Sequence, residues 1–428
     1  MDTHAAQALI RFGFGRRGSE PPPDDPAAWL RAQLATADAG PPGPSLADGF
    51  DALKQDRDDP PPQGTPRRGA ILFRGEVTAL IDQALTTATP FRERLVWFWA
   101  NHFTVSIRAG RVAVVAGDFV RNAIRPHVTG PFRDMLLAVM QHPAMLMYLD
   151  NAGSIGPDSA VGHRTGRGLN ENLARECMEL HTVTPASGYT QADVTAFANI
   201  LTGWSIGRLG EQAGFRFRPA IHEPGALSLM GRDFPPGEQG GVEALTFLGT
   251  HPATYHHLAT KLVRHFVADD PPPDAVRWIE TVLRDTNGDL GQAALALVPL
   301  EAAWRPLTKL RGPQDYVLAA LRAADLPDGK RPNAQQIVRG LGQPLFGAPF
   351  PIGWPDQATD WAGPEAMMRR IDWAYGFAGR ASDLDAEQIA DASLGPLLTA
   401  DTGLQIKRAG SRRDALTLLL TSPEFQRR

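Results

Sequence analysis

The chain has 428 residues and a mass of 46.3 kDa, enough for one large domain or several ordinary ones and too long for a disulfide-stapled miniature. Hydrophobic residues at 43% and charged residues at 21% exclude extensive disorder. The 43 Lys and Arg against 47 Asp and Glu leave a charge of −4, which excludes nucleic-acid or anionic-membrane binding through a general basic field.

Cys177 is the only cysteine, so an intramolecular disulfide, a CxxC pair and a cysteine-rich zinc site are all excluded. Any metal would be held by His and carboxylates. No apolar stretch approaches the roughly 20 residues that span a bilayer, and residues 1–9 lack a basic segment followed by a hydrophobic one. As written, the chain is expected to be cytoplasmic, with no integral membrane association.

Gly (42) and Pro (37) collect between the periodic segments. One cluster, 21–25, precedes a short helical pattern at Ala27, Trp29, Leu30 and Leu34. A second fills 40–69 and reads as a linker or wrapping arm. Residues 1–70 are therefore expected to form an N-terminal helical arm and linker, and 71–428 a helical core domain. From Ile71 the spacing predicts a helix over 71–87, then Thr89-Pro90 as cap and first turn before 91–103. Helical periodicity recurs at 111–128, 131–141, 169–182, 190–201, 243–248, 253–268, 274–285, 290–298, 313–324, 333–341 and 412–420. The one strand pattern is 214–219, where Phe215 and Phe217 alternate with arginines as in a hairpin. The stretch from Pro344 to Trp361 reads as an ordered aromatic loop. The expected fold is mainly α: a single large irregular helical domain with long Pro/Gly-rich loops and at most a small β-hairpin.

The 95–103 segment is apolar on nearly every face, so Asn101 and His102 are expected in a desolvated place and need partners there. His102 reads either as a satisfied core histidine or as a metal ligand or general base. Over 169–182, Glu171, Arg175, Glu179, Asn172 and Glu176 fall within about 140° of one helical face. Glu176 and Glu179, at i and i+3, can converge on one point as metal-binding carboxylates do. The alternative is a solvated face with Arg175 paired to Glu171 or Glu179. His181 lies about 140° from Glu176 on an ideal helix, so it joins only if the helix distorts. His222, after the hairpin, reads as a loop-delivered ligand or a surface turn. His257, Lys261, Arg264 and His265 share a face at i, i+4, i+7 and i+8, which can bind an anion or be merely a charged face. The loop 150–168 carries Ser154 and Ser159 without a Gly-x-Ser-x-Gly or P-loop pattern, and its position suggests a lid. HExxH is absent.

Nine short motifs occur in order: Arg11-Phe-Gly-Phe-Gly15; Trp99-Ala-Asn-His-Phe103; His142-Pro-Ala-Met-Leu146 with Tyr148-Leu-Asp-Asn151; Asn170-Glu-Asn-Leu-Ala-Arg-Glu176 with Glu179-Leu-His-Thr182; Gly188-Tyr-Thr-Gln191; Leu201-Thr-Gly-Trp204; Leu341-Gly-Gln343; Gly353-Trp-Pro355; and Ser422-Pro-Glu-Phe-Gln426. Together they resemble the bacterial domain-of-unknown-function family numbered eighteen hundred, over nearly the whole chain. That resemblance supplies no assigned catalytic residues. It implies a co-encoded, exported sulfatase-like partner and, in many members, a signal sequence, which this chain does not display. Periplasmic location by partner-assisted export is the corresponding alternative.

Two expectations follow. The first is a metal-dependent enzyme, hydrolytic or oxidative, in which Glu176, Glu179 and His102, with His181 or His222, hold a divalent Zn, Mn or Fe ion, and Arg175 orients a carboxylate or a substrate anion. Without metal, the carboxylates become an acid/base pair. The second is a non-catalytic binding or maturation protein that docks its partner through the 346–361 loop and the N-terminal arm.

Overall fold

The computed structural model describes all residues except 19, 37, 39, 208–210 and 382, together with the side chain of 328. The chain is mainly α, as its periodicity predicts, and the helices pack into two hydrophobic cores. One gathers Phe91, Trp99, Phe103, Phe132, Leu262 and Phe266. The other gathers Ile81, Tyr316, Phe377 and Leu419.

The first residues tie these cores together. The helix Thr3–Gln7 continues as a π-helical turn, Ala8–Phe12. Residues two apart on a helix point about 200° apart. Accordingly Ala8 and Phe12 enter the first core, while Ile10 and Phe14 enter the second. The segment that composition assigns to an arm is thus wedged between the two cores at its start. Within the Pro-rich stretch, a helix, Leu46–Asp58, is started by a capping box between Ser45 and Asp48. Its Asp56 accepts hydrogen bonds of 2.9 Å from the amides of Arg68 and Gly69, and so caps the next helix, Arg68–Thr86, from a distance in sequence.

Strand structure among the described residues is confined to two antiparallel hairpins. Trp204–Ile206 pairs with Phe215–Phe217, the hairpin that the alternation predicts. A second, Leu227–Leu229 with Arg232–Phe234, goes beyond the expectation of one. Its turn residues Met230 and Gly231 both have positive φ, 49° and 76°, as a tight primed turn requires. Among the described residues, no helix is long and apolar enough to cross a membrane.

Candidate functional site

The helix Pro90–His102 begins at Pro90, pre-set for a first helical turn, and is buried on most sides. Beside it runs Pro252–Phe266, whose apolar residues Leu258, Leu262 and Phe266 face the core. The opposite stripe, His257, Lys261, Arg264 and His265, faces a cavity of about 350 Å³. Phe98, Asn101 and His102 come from the first helix, and Trp354, Asp356 and Trp361 from the aromatic loop.

The loop is a wall of the cavity because its backbone is clasped. Asn101 Nδ2 donates to the Trp354 carbonyl at 2.9 Å, and the Trp354 amide donates back to Asn101 Oδ1 at 2.8 Å. The close approach needs Gly353, at φ 85°, where an added Cβ would stand 2.4 Å from the Asn101 carbonyl oxygen. Phe350 and Ile352 at the loop tip remain exposed.

One side of the cavity is neutralised internally. Asp315 pairs with Arg94 at 3.1 Å and with Arg428 at 2.8 Å. Asp356 accepts from Arg428 at 2.7 Å and pairs with His265 Nδ1 at 2.9 Å. Burial opposes ionisation of Asp315, but Arg94 and Arg428 outweigh it and bring the carboxyl down to about 2. At His265 burial dominates Asp356 and pulls the ring down to about 4.

Lys261 and Arg264 are different. Neither makes a hydrogen bond or an ion pair with any described residue, and Arg264 Nε is buried without a partner. Desolvation pulls the Lys261 ammonium down to about 8, with Asp356 opposing and Arg264 assisting.

The glutamate helix ends against this site. Asn172–Glu176 runs into a π-helical turn, Cys177–His181, so the distortion that His181 needs to change direction is present. It brings His181 to His102 and Phe103, at ring-centre distances of 5.6 and 5.1 Å, among residues that exclude water. The terminal carbonyls of this turn lack helical partners, and imidazoles supply them. His257 Nε2 meets the Leu180 oxygen at 2.9 Å and His102 Nε2 the His181 oxygen at 3.2 Å. A carbonyl only accepts, so both rings carry their proton on Nε2. Both ring nitrogens of His181 are buried without partners. Burial is the main cause that lowers all three: His102 well below its usual value, His181 to about 3 and His257 to about 4.

The glutamates stand apart from these rings. Burial first, then Lys261, His181 and His257, lowers His102, and no hydrogen bond or ion pair joins it to either glutamate. Glu176 is half-buried and Glu179 exposed. Burial, then Glu179, raises Glu176. Arg175 bonds Glu171 at 2.7 Å and Gln191 at 3.0 Å, the ion pair that i, i+4 spacing offers. His222 has both nitrogens in use: Nδ1 meets the Thr202 carbonyl at 2.7 Å and Nε2 accepts the Gly237 amide at 2.7 Å. His102 is thus brought together with His181 but with neither glutamate nor His222; of the expected metal and catalytic residues only His102 lines the cavity, whereas all four residues of the His257, Lys261, Arg264 and His265 stripe do. Among the described residues, no group of three or more His, Cys, Asp or Glu is arranged to hold a metal ion. Ser159 caps the short helix Ala160–Thr165, and Ser154 Oγ accepts the Asn170 amide at 3.0 Å.

Arg94, Gln314, Asp315, Gln343 and Arg428 were not singled out from sequence as site residues. They come from segments far apart in the chain, and no local spacing signals their convergence.

Fold and site together define a mainly helical protein built around an aromatic-walled cavity with two unpaired cations. The chain matches the family described as "Protein of unknown function (DUF1800)" over residues 7–427, and it belongs to that family. Comparison with curated proteins and with solved structures finds no match.

Proposed function

We propose that the protein binds a small organic anion in this cavity, with Lys261 and Arg264 taking the anionic group and Trp354 and Trp361 flanking the body of the ligand. The observation that carries this reading is that neither cation makes a hydrogen bond or an ion pair with any described residue although both line a cavity, Asp356 being the one carboxylate that acts on Lys261. Desolvating a cation without a counter-charge is costly, and a bound anion removes that cost. The volume, about 350 Å³, lies within the range of roughly 300–1,000 Å³ found for small-molecule sites. A thermal-shift comparison of benzoate with neutral benzamide tests it. Benzoate should stabilise the wild type in a saturable way, and benzamide should not. Equal effects, or an undiminished benzoate effect in Lys261→Met with Arg264→Gln, would overturn the reading.

A second reading is supported by the raised carboxyl of Glu176 beside Glu179, neither side chain having a hydrogen bond or ion pair with any described residue. In it the two act as a general acid/base pair, or in a metal-dependent form hold a divalent ion together with groups from substrate or water. Elemental analysis of untagged protein distinguishes the forms. About one equivalent of metal, lost in Glu176→Gln with Glu179→Gln, supports the metal-dependent enzyme; metal retained by that folded variant rules these ligands out.

A further inference from the structure

The sequence has five lysines, at positions 54, 261, 309, 330 and 407. Lys309 is held by Asp269 and Asp356, Lys330 pairs with Asp383 and Lys407 with Glu387. Lys54 is exposed. Lys261 alone combines a place in the cavity wall with no hydrogen bond or ion pair to any described residue, although Asp356 attracts it without pairing.

An amine in such a place does more than neutralise an anion. Resting on the anion-site reading above, we infer that Lys261 is a nucleophile that forms an imine with a 2-oxo acid, whose carboxylate is taken by Arg264. Residues at i and i+3 are neighbours on a helix, about 5–6 Å apart at Cβ. This spacing lets one short ligand present its carboxylate to Arg264 and its adjacent carbonyl to Lys261. Desolvation beside another cation is also how a lysine keeps a useful fraction of free amine near neutral pH.

The balance of the step is simple. The Lys261 nitrogen pair adds to the carbonyl carbon, the carbonyl π pair moves to oxygen, and a proton passes from nitrogen to that oxygen. The carbinolamine hydroxyl then takes the second nitrogen proton and leaves as water while the nitrogen pair forms C=N. Amine and ketone give imine and water, with no oxidant or reductant. His257 is placed to relay the proton. It precedes Lys261 by one turn on the same face, and its Nε2–H is engaged by the Leu180 carbonyl, so Nδ1 carries the free lone pair. The Trp354 and Trp361 rings, in contact with each other at 6.1 Å between centres, form one apolar wall that favours an aryl-bearing acid.

Phenylpyruvate is the probe. The full chain is incubated with it, reduced with borohydride and mapped by peptide mass spectrometry, while calorimetry follows binding without reductant. The expected result is a saturable adduct on Lys261, suppressed by excess benzoate, with Arg264→Gln requiring about tenfold more phenylpyruvate. If calorimetry registers binding that Arg264→Gln weakens, yet Lys261 stays unmodified or reacts no faster than Lys54, the imine proposal is wrong and the anion site stands. If neither binding nor adduct is found, both fail.

Discussion

The side chain of Asn101 and the backbone of Trp354 exchange two hydrogen bonds, of 2.9 and 2.8 Å, across a sequence separation of 253 residues. This exchange holds one wall of the cavity. Asn101→Leu should strand the Trp354 amide and carbonyl and cost about 1–3 kcal/mol. Urea unfolding followed by tryptophan fluorescence reads this loss. An unchanged midpoint would mean that the loop is held by other contacts.

A second prediction concerns a buried pair. Glu93 is inaccessible to water and is gripped by Arg125 at 2.6 and 2.9 Å, with Asp38 also on Arg125 at 2.6 Å. Arg125→Met leaves the Glu93 charge uncompensated and should destabilise by about 3–5 kcal/mol. Adding Glu93→Leu should return part of that loss, because it removes the buried charge while Asp38 still lacks Arg125 and the Trp97 Nε1–H loses its acceptor. Additive losses in denaturant titrations would contradict this.

Protonation gives the third. His181 falls from 6.5 to about 3 and His257 from 6.5 to about 4, chiefly through desolvation, with Lys261 acting on both and Arg264 and His256 acting further on His257. Both are depressed in the folded state, so below pH 6.5 the unfolded chain takes up protons that the folded chain refuses. Stability is therefore intact above this pH and declines as pH falls toward the folded values. His181→Leu removes one such site and should flatten the slope between about pH 4 and 6 by up to about 1.4 kcal/mol per unit. An unaltered slope would show that His181 does not carry this linkage. Asp315, depressed to about 2, belongs to a lower window that opens only below the ordinary carboxylate range.

Much of the frame is legible in the residues themselves. The segment 95–103 is apolar on nearly every face and becomes the end of a buried helix, and the partner that Asn101 requires is found on the loop whose aromatic content marks it as ordered. The helix Pro364–Arg380 is not among the periodic segments read in the sequence, although it buries Ala374, Phe377 and Ala378 on one face while Met368, Ile371 and Tyr375 stay exposed. The site is less legible. The convergence of His102 with Glu176 and Glu179 requires the glutamate face to turn inward, yet that helix buries Leu173, Ala174 and Cys177 instead. The π-helical turn that carries His181 inward has no spacing signature of its own. The stripe of His257, Lys261, Arg264 and His265 is visible, but charge periodicity alone is the same whether it faces bulk water or a cavity.

The most direct measurement is a crystal structure of the wild-type protein grown with 4-iodobenzoate, with the iodine located by its anomalous signal. The account predicts one strong peak beside Trp354 and Trp361, with the carboxylate directed at Lys261 and Arg264. Iodine bound only elsewhere, or an empty cavity at a concentration that saturates the thermal shift, would contradict it.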